Sequence, residues 1–152
     1  MTGTAKAALK RRIEAPIEVV FDAFTKADLL ARWLGPKGFE TCKVEADVHV
    51  GGRFAFRMTG AAGVYAAEGV YREITPPTRI VLTWRWTEGP PEEPPDGITS
   101  LVTFELARDG EGTMLTLTHE GLPDQAQADS HETGWSEALE KLRRLLEEGW
   151  TP

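Results

Sequence analysis

The stretch that decides the fold is residues 124–149, which read DQAQADSHETGWSEALEKLRRLLEEG. Apolar residues recur in it at helical spacing, and a helix with one apolar stripe must cover that stripe with another layer of the protein. The stripe consists of Trp135, Ala138, Leu139, Leu142, Leu145 and Leu146. Asp124 with Gln127, or Asp129 with Glu132, would cap its start, and Gly149 would end it. The spacing predicts a long amphipathic helix.

The layer that covers this helix is predicted from the middle of the chain, where apolar and polar residues alternate as they do in half-buried strands. The residues that share one face are Phe54, Phe56 and Met58, then Ile80, Leu82, Trp84 and Trp86, then Val102, Phe104 and Leu106, and finally Leu115, Leu117 and His119. Gly69 lies inside a further strand, and a glycine there indicates a bulge or a sharp bend. The pattern predicts a curved antiparallel sheet.

The beginning of the chain predicts one more strand and two short helices. Residues 5–13 alternate as a strand, and Pro16 is well placed in the first turn of the helix that follows. Thr25 and Asp28 resemble a capping pair for a second helix, which Gly35-Pro36 would end. The order of elements predicts an α+β fold in which one long C-terminal helix packs across the curved sheet.

Composition limits the classes of protein that the chain can belong to. Its 152 residues suit a single domain, spanning residues 1–152. A formal net charge of −7 with scattered basic residues argues against nucleic-acid binding. The first twelve residues lack the apolar stretch of a signal peptide, no apolar run is long enough to cross a bilayer, and Cys42 is the only cysteine. We therefore expect a cytoplasmic protein without membrane insertion.

One low-complexity segment interrupts the predicted sheet. Residues 89–97 read GPPEEPPDG, and their prolines cannot donate the hydrogen bonds that pair strands. We expect an exposed and mobile loop at about residues 88–97.

Several local strings, in this order along the chain, resemble the START/SRPBCC superfamily, and more narrowly the bacterial proteins related to the activator of heat-shock protein 90 ATPase. The strings are IEAP at 13–16, WLGPKGF at 33–39, GGRF at 51–54, GVYREITPP at 69–77, RIVLTW at 79–84, GTMLTLTH at 112–119 and HETGW at 131–135. The resemblance implies the helix-grip fold, a curved sheet around the last helix with an apolar cavity between them. It does not imply one chemistry, because the superfamily includes carriers, receptors, enzymes and co-chaperone domains.

The candidate ligand-binding residues are the inward aromatic and histidine side chains. They are Phe54, Phe56, Trp84, Trp86, Phe104, His119, His131 and Trp135. The aromatic residues fit a plain core as well as the wall of a ligand cavity. His119 and His131 would orient a polar group of a ligand, with Arg53 as a further candidate. Gly134 lies in mid-helix, which favours close packing against a strand over space left for a ligand.

The leading functional hypothesis is the binding of a small apolar or amphipathic molecule, whose identity the sequence does not give. One alternative is an enzyme of cyclase or hydrolase type that uses His119 or a carboxylate in the same cavity, and another is a co-chaperone-like module that binds protein. Motifs for nucleotides, nucleophilic catalysis or metals are absent, so we expect no metal and no cofactor. Strand edges and the short helices also offer surfaces for a homodimer.

Overall fold

A computed structural model describes residues 3–148 of the chain. Its elements, in chain order, are β1 (Ala5–Ile13), α1 (Ile17–Thr25), α2 (Ala27–Trp33), β2 (Phe39–Ala46), β3 (Arg53–Gly60), β4 (Gly63–Thr75), β5 (Arg79–Glu88), β6 (Ser100–Asp109), β7 (Gly112–Leu122) and α3 (Gln125–Glu147). The seven strands form one antiparallel sheet in the order β1-β7-β6-β5-β4-β3-β2. The predicted α+β helix-grip fold is confirmed.

The sheet bends within β4. The register between β4 and β5 shifts between Ala66 and Ala67 and again between Tyr71 and Glu73, on either side of Gly69. A side chain at Gly69 would collide with the carbonyl oxygen of Thr83. The Thr83 hydroxyl accepts a hydrogen bond from the Val70 amide at 2.8 Å, in place of a regular ladder bond. The irregularity that the sequence predicted at Gly69 is confirmed as a break in the register of β4 with β5.

Helix α3 covers the sheet with the predicted stripe. Trp135, Ala138, Leu139 and Leu142 are buried, and Leu145 and Leu146 are half-buried against the same core. The helix contacts β1, β7, α1 and α2. Full burial of a side chain such as Leu142 stabilises the fold by about 1.5–3 kcal/mol, so the stripe supplies much of what holds the helix on the sheet.

The predicted helix boundaries are correct in part. Asp124 caps α3, because its Oδ1 accepts a hydrogen bond from the Gln127 amide at 2.8 Å. The predicted capping pair of Thr25 with Asp28 is wrong. The Thr25 hydroxyl instead donates to the Phe21 carbonyl at 3.1 Å, back within α1, and Lys26 is the N-cap of α2 without a side-chain bond. Gly149 lies outside the described residues.

The proline-rich segment connects β5 to β6 without regular secondary structure. Its residues 91–97 are exposed, as predicted. Two hydrogen bonds between residues close in sequence shape the segment. The Glu93 amide donates to the Pro90 carbonyl at 2.9 Å, and the Ile98 amide donates to Asp96 Oδ1 at 2.8 Å. Its mobility stays a prediction. Within residues 3–148, no helix has the length and apolar character needed to cross a membrane.

Replacing the α3 cap tests which of the two proposed caps the helix uses. We expect Asp124→Ala to lower the free energy of unfolding by about 1 kcal/mol, because the Gln127 amide then has no acceptor. Asp129→Ala is the matched control, since Asp129 only accepts a surface bond from the Gln125 side chain. Urea denaturation of both variants measures the difference, and equal losses would contradict the assignment.

Candidate functional site

A cavity of about 490 Å³ lies between the sheet, the first half of α3, the segment after α2 and the proline-rich loop. Six aromatic residues line it: Phe39, Phe56, Tyr65, Trp84, Trp86 and Trp135. Strand alternation explains why β5 contributes two of them, because Trp84 and Trp86 are two positions apart and point to the same face. Helix α3 contributes one face, with Gln127, Ser130, His131, Gly134, Trp135 and Ala138.

The aromatic rings of the wall contact one another edge to face, which restricts their orientation. The ring centroids of Trp84 and Trp135 are 5.4 Å apart, those of Tyr65 and Trp86 are 6.0 Å apart, and those of Phe39 and Tyr65 are 5.5 Å apart. Such pairs are worth about 0.5–1.5 kcal/mol each beyond the burial of their area. The wall is therefore a packed aromatic surface rather than a set of independent side chains.

His119 lies behind this wall and joins helix to sheet. The Trp135 indole N–H donates to His119 Nδ1 at 3.0 Å, and His119 Nε2 is 2.7 Å from the Ser100 hydroxyl. The Ser100 hydroxyl donates to the Trp84 carbonyl at 3.0 Å. Because Nδ1 is an acceptor here, the ring proton is on Nε2. The indole, imidazole, hydroxyl and carbonyl groups thus form one hydrogen-bond chain in which each group has a partner. His119 is 0% exposed, so its role is to connect buried elements.

His131 lies at the cavity, one helical turn before Trp135. Its Nδ1 is 2.7 Å from the Gln127 carbonyl and acts as the donor. Its Nε2 accepts a hydrogen bond from the Trp86 indole N–H at 3.0 Å. Both ring nitrogens are thus occupied, and the bond to Trp86 links α3 to β5 at the wall of the cavity.

Both histidines are held in the neutral form. Burial lowers the pKa of His119 well below the usual histidine value, and the neighbouring His131 lowers it further. Their ring centroids are 4.8 Å apart. Burial also lowers the pKa of His131, against the opposing effects of the Gln127 carbonyl and of Asp96. A positive charge on either ring would break the hydrogen-bond pattern described above.

One buried donor remains without a partner. Trp84 lines the cavity and is 3% exposed, and no acceptor lies within reach of its indole nitrogen. Among residues 3–148 it is the only buried side-chain nitrogen or oxygen without a hydrogen bond. Natural proteins pair almost all such groups, so an exception at a cavity is informative.

The structure divides the predicted site residues into two groups. Phe56, Trp84, Trp86, His131 and Trp135 line the cavity. The remaining three are buried in the core behind it: Phe54, Phe104 and His119.

One candidate from the sequence lies outside the cavity, and one expectation is wrong. Arg53 is exposed on the outer face of the sheet, as strand alternation favours, and bonds to Glu45 and Glu68 at 2.7 and 2.9 Å. Gly134 does not pack against a strand: a Cβ atom there would have only Pro36 Cβ near it, at 4.0 Å. The glycine leaves space in the cavity.

Most of the acidic rim of the cavity was not predicted from the sequence. Glu88, Glu92, Glu93 and Asp96 line the cavity, and the Tyr65 hydroxyl donates to Glu93 Oε2 at 2.7 Å. Burial raises the pKa of Tyr65 to about 12, with a smaller contribution from the hydrogen bond to Glu93. Three of these acids, Glu92, Glu93 and Asp96, lie in the segment 89–97, but their position at the cavity depends on the path of that loop. No group of three His, Cys, Asp or Glu suited to a metal occurs within residues 3–148.

Comparison with known proteins agrees with this architecture. The fold is that of the START/SRPBCC helix-grip class. The family model for Activator of Hsp90 ATPase homolog 1-like protein matches residues 14–147, and the chain belongs to that family. No curated protein matches the chain.

Solved structures from several bacteria are similar over nearly their whole length. A protein of Chromobacterium violaceum is 32% identical, with a TM-score of 0.82, and the match covers 93% of this chain and 96% of that one. The AHSA1 protein of Silicibacter pomeroyi is 27% identical, also with a TM-score of 0.82, over 93% and 97% of the two chains. A protein of Arthrobacter aurescens shares the fold at 21% identity and a TM-score of 0.81, over 95% and 87%.

A pair of tryptophan variants tests the buried hydrogen-bond chain. Trp135→Phe leaves His119 Nδ1 buried without a donor, whereas Trp84→Phe removes a donor that has no partner. We expect Trp135→Phe to lower the free energy of unfolding by about 1–3 kcal/mol more than Trp84→Phe. The two substitutions delete the same atoms, so chemical denaturation compares them directly. An equal loss in the free energy of unfolding would argue against the hydrogen-bond series through His119.

The neutral histidines predict a loss of stability in mild acid. Below about pH 6.5 these histidines bind protons in the unfolded chain but not in the folded one. The free energy of unfolding therefore falls by up to about 1.4 kcal/mol per pH unit for each histidine as the pH is lowered. Above that pH both states are neutral and the effect vanishes. Urea denaturation between about pH 7.5 and about pH 5 measures the slope. His131→Gln should reduce the slope, and a flat wild-type profile would refute the expectation.

Proposed function

We propose that the protein binds a small, largely apolar molecule in the cavity between the sheet and α3. The observation that carries this proposal is the space beside Gly134. Glycine in a helix interior costs about 1 kcal/mol relative to alanine, and the structure offers no packing contact that requires it. The destabilising residue is explained if its absent side chain leaves room for a ligand.

The size and lining of the cavity support the proposal. Its volume of about 490 Å³ lies within the range of roughly 300–1,000 Å³ that is usual for small-molecule sites. The aromatic wall provides rigid apolar area, and four carboxylates with Gln127, Ser130 and His131 supply the polar part of the lining. Together these features suit a ligand of the size of a metabolite rather than a protein segment.

We propose binding rather than catalysis because neither histidine of the site is free to act as an acid or base, and Glu92, Glu93 and Asp96 lie on exposed residues of the loop. His119 is sealed behind the wall, and His131 has both ring nitrogens in hydrogen bonds. A general base must reach the proton that it removes, and His131 could do so only after losing the bond from Trp86. No observation on the described residues favours the cyclase, hydrolase or co-chaperone alternatives.

The proposal is tested by filling the cavity from Gly134. A thermal-shift screen of fatty acids, aromatic metabolites and amines, with native mass spectrometry of the purified protein, identifies compounds that bind. Any compound that binds the native state raises the melting temperature by linkage. We expect Gly134→Leu to abolish the shift, because its side chain projects into the cavity.

Gly134→Ala is the matched control for this experiment. It should raise the free energy of unfolding by about 1 kcal/mol and should keep most of the ligand-induced shift, because one methyl group fills little of the cavity. The proposal fails if no compound binds the wild-type protein, or if Gly134→Leu binds the ligand as tightly as the wild type does.

A further inference from the structure

The rim of the cavity indicates the charge of the ligand, an inference that rests on the proposed function. We propose that the ligand is a cation, a protonated amine or quaternary ammonium group on an apolar body. The apolar body lies against the aromatic wall, and the charged group lies at the mouth, between the rings of Tyr65 and Trp86 and the carboxylates of Glu92, Glu93 and Asp96.

The first support is the one-sided charge of the lining. Of the described residues that form the cavity, four carry carboxylates, and none is lysine or arginine. Glu88 is paired with Arg57, whose Nη2 lies 3.3 Å from Glu88 Oε2. The other three carboxylates have no cationic partner within residues 3–148. Lys37 follows the lining residue Pro36 but is exposed and does not line the cavity.

The second support is the kind of surface that faces these acids. The Tyr65 hydroxyl donates to Glu93, and the Tyr65 ring lies 6.0 Å from that of Trp86. Aromatic faces are negative, and a cation held over tryptophan or tyrosine gains about 0.5–2 kcal/mol. An ammonium group at this position would be attracted both by the carboxylates and by the aromatic faces, and an anion would be repelled by both.

The neutral polar groups of the cavity also fail to suit an anion. His131 is uncharged, and its Nε2 is already an acceptor for Trp86. Tyr65 gives its proton to Glu93. A carboxylate ligand would therefore find no cationic side chain among the lining residues, and would approach three like charges on a chain whose net charge is −7.

A further observation concerns the wall of the cavity. Trp84 is one of the lining residues, and its indole N–H is buried without an acceptor. An ether or carbonyl oxygen on the apolar body of the ligand would supply an acceptor if the indole turns toward the cavity. The lining thus combines an unpaired donor with carboxylates.

A charge series on one apolar body tests the inference. The probes are (2-naphthylmethyl)trimethylammonium, 2-naphthalenemethanol and 2-naphthylacetate. Three of the five tryptophans line the cavity, so tryptophan fluorescence and calorimetry both report binding. We expect the ammonium compound to bind about tenfold more tightly than the alcohol, the acetate to bind most weakly, and the ammonium preference to shrink as salt is added.

Neutralising the rim should remove this preference without changing the shape of the site. The triple variant Glu92→Gln, Glu93→Gln and Asp96→Asn keeps an acceptor oxygen for Tyr65 and for the Ile98 amide. We expect its affinity for the ammonium compound to fall to that for the alcohol, and its affinity for the alcohol to stay unchanged. The control triple variant removes three exposed charges that do not line the cavity and have no ion-pair partner within residues 3–148: Glu111→Gln, Glu120→Gln and Glu148→Gln.

The possible failures separate the two proposals. If the alcohol or the acetate binds as tightly as the ammonium compound, or if the rim and control triples lose the same affinity, the ligand is not selected by its charge, and the cavity proposal stands. If the ammonium compound does not bind at any salt concentration, the inference is overturned. If no compound of any charge binds, the proposed function is overturned with it.

Discussion

The rest of the structure depends on the position of Trp135, where α3 meets the sheet. Its indole packs edge to face on Trp84, and its N–H donates to buried His119. The first contact fixes the distance between helix and sheet, and the second fixes the rotation of the helix about its axis. Because α3 can satisfy both only in one orientation, Gly134 and His131 necessarily face the cavity, while Leu139 and Leu142 enter the core.

Buried polar groups give this interface its specificity. A purely apolar contact between helix and sheet would tolerate small shifts, whereas a hydrogen-bonded chain from Trp135 through His119 and Ser100 to the Trp84 backbone does not, since a broken member would be left buried without a partner. The cost is that His119 must stay neutral. The same requirement makes His119 a poor group for catalytic proton transfer.

Local and periodic features were predictable because they depend on neighbours along the chain. Helical spacing identified α3, strand alternation placed Phe56, Trp84 and Trp86 on one face, and Gly69 marked the bend. The Thr25 cap was wrong because a threonine near the end of α1 can bond back to its own helix as readily as forward. Strand alternation identifies inward-facing residues only. It could not distinguish Phe54 and Phe104, which are buried in the core, from the aromatic residues that line the cavity.

The sequence by itself determined the order of elements, the family and the inward-facing residues, because periodicity and ordered motifs record which side of each element is covered. Only the tertiary structure decided which of those residues border open space. It brought Glu93 of the segment 89–97 to the Tyr65 hydroxyl and left Gly134 opposite Pro36. The physical reason is that a cavity is the volume left between elements far apart in the chain, and its charge depends on a loop whose path no local pattern specifies.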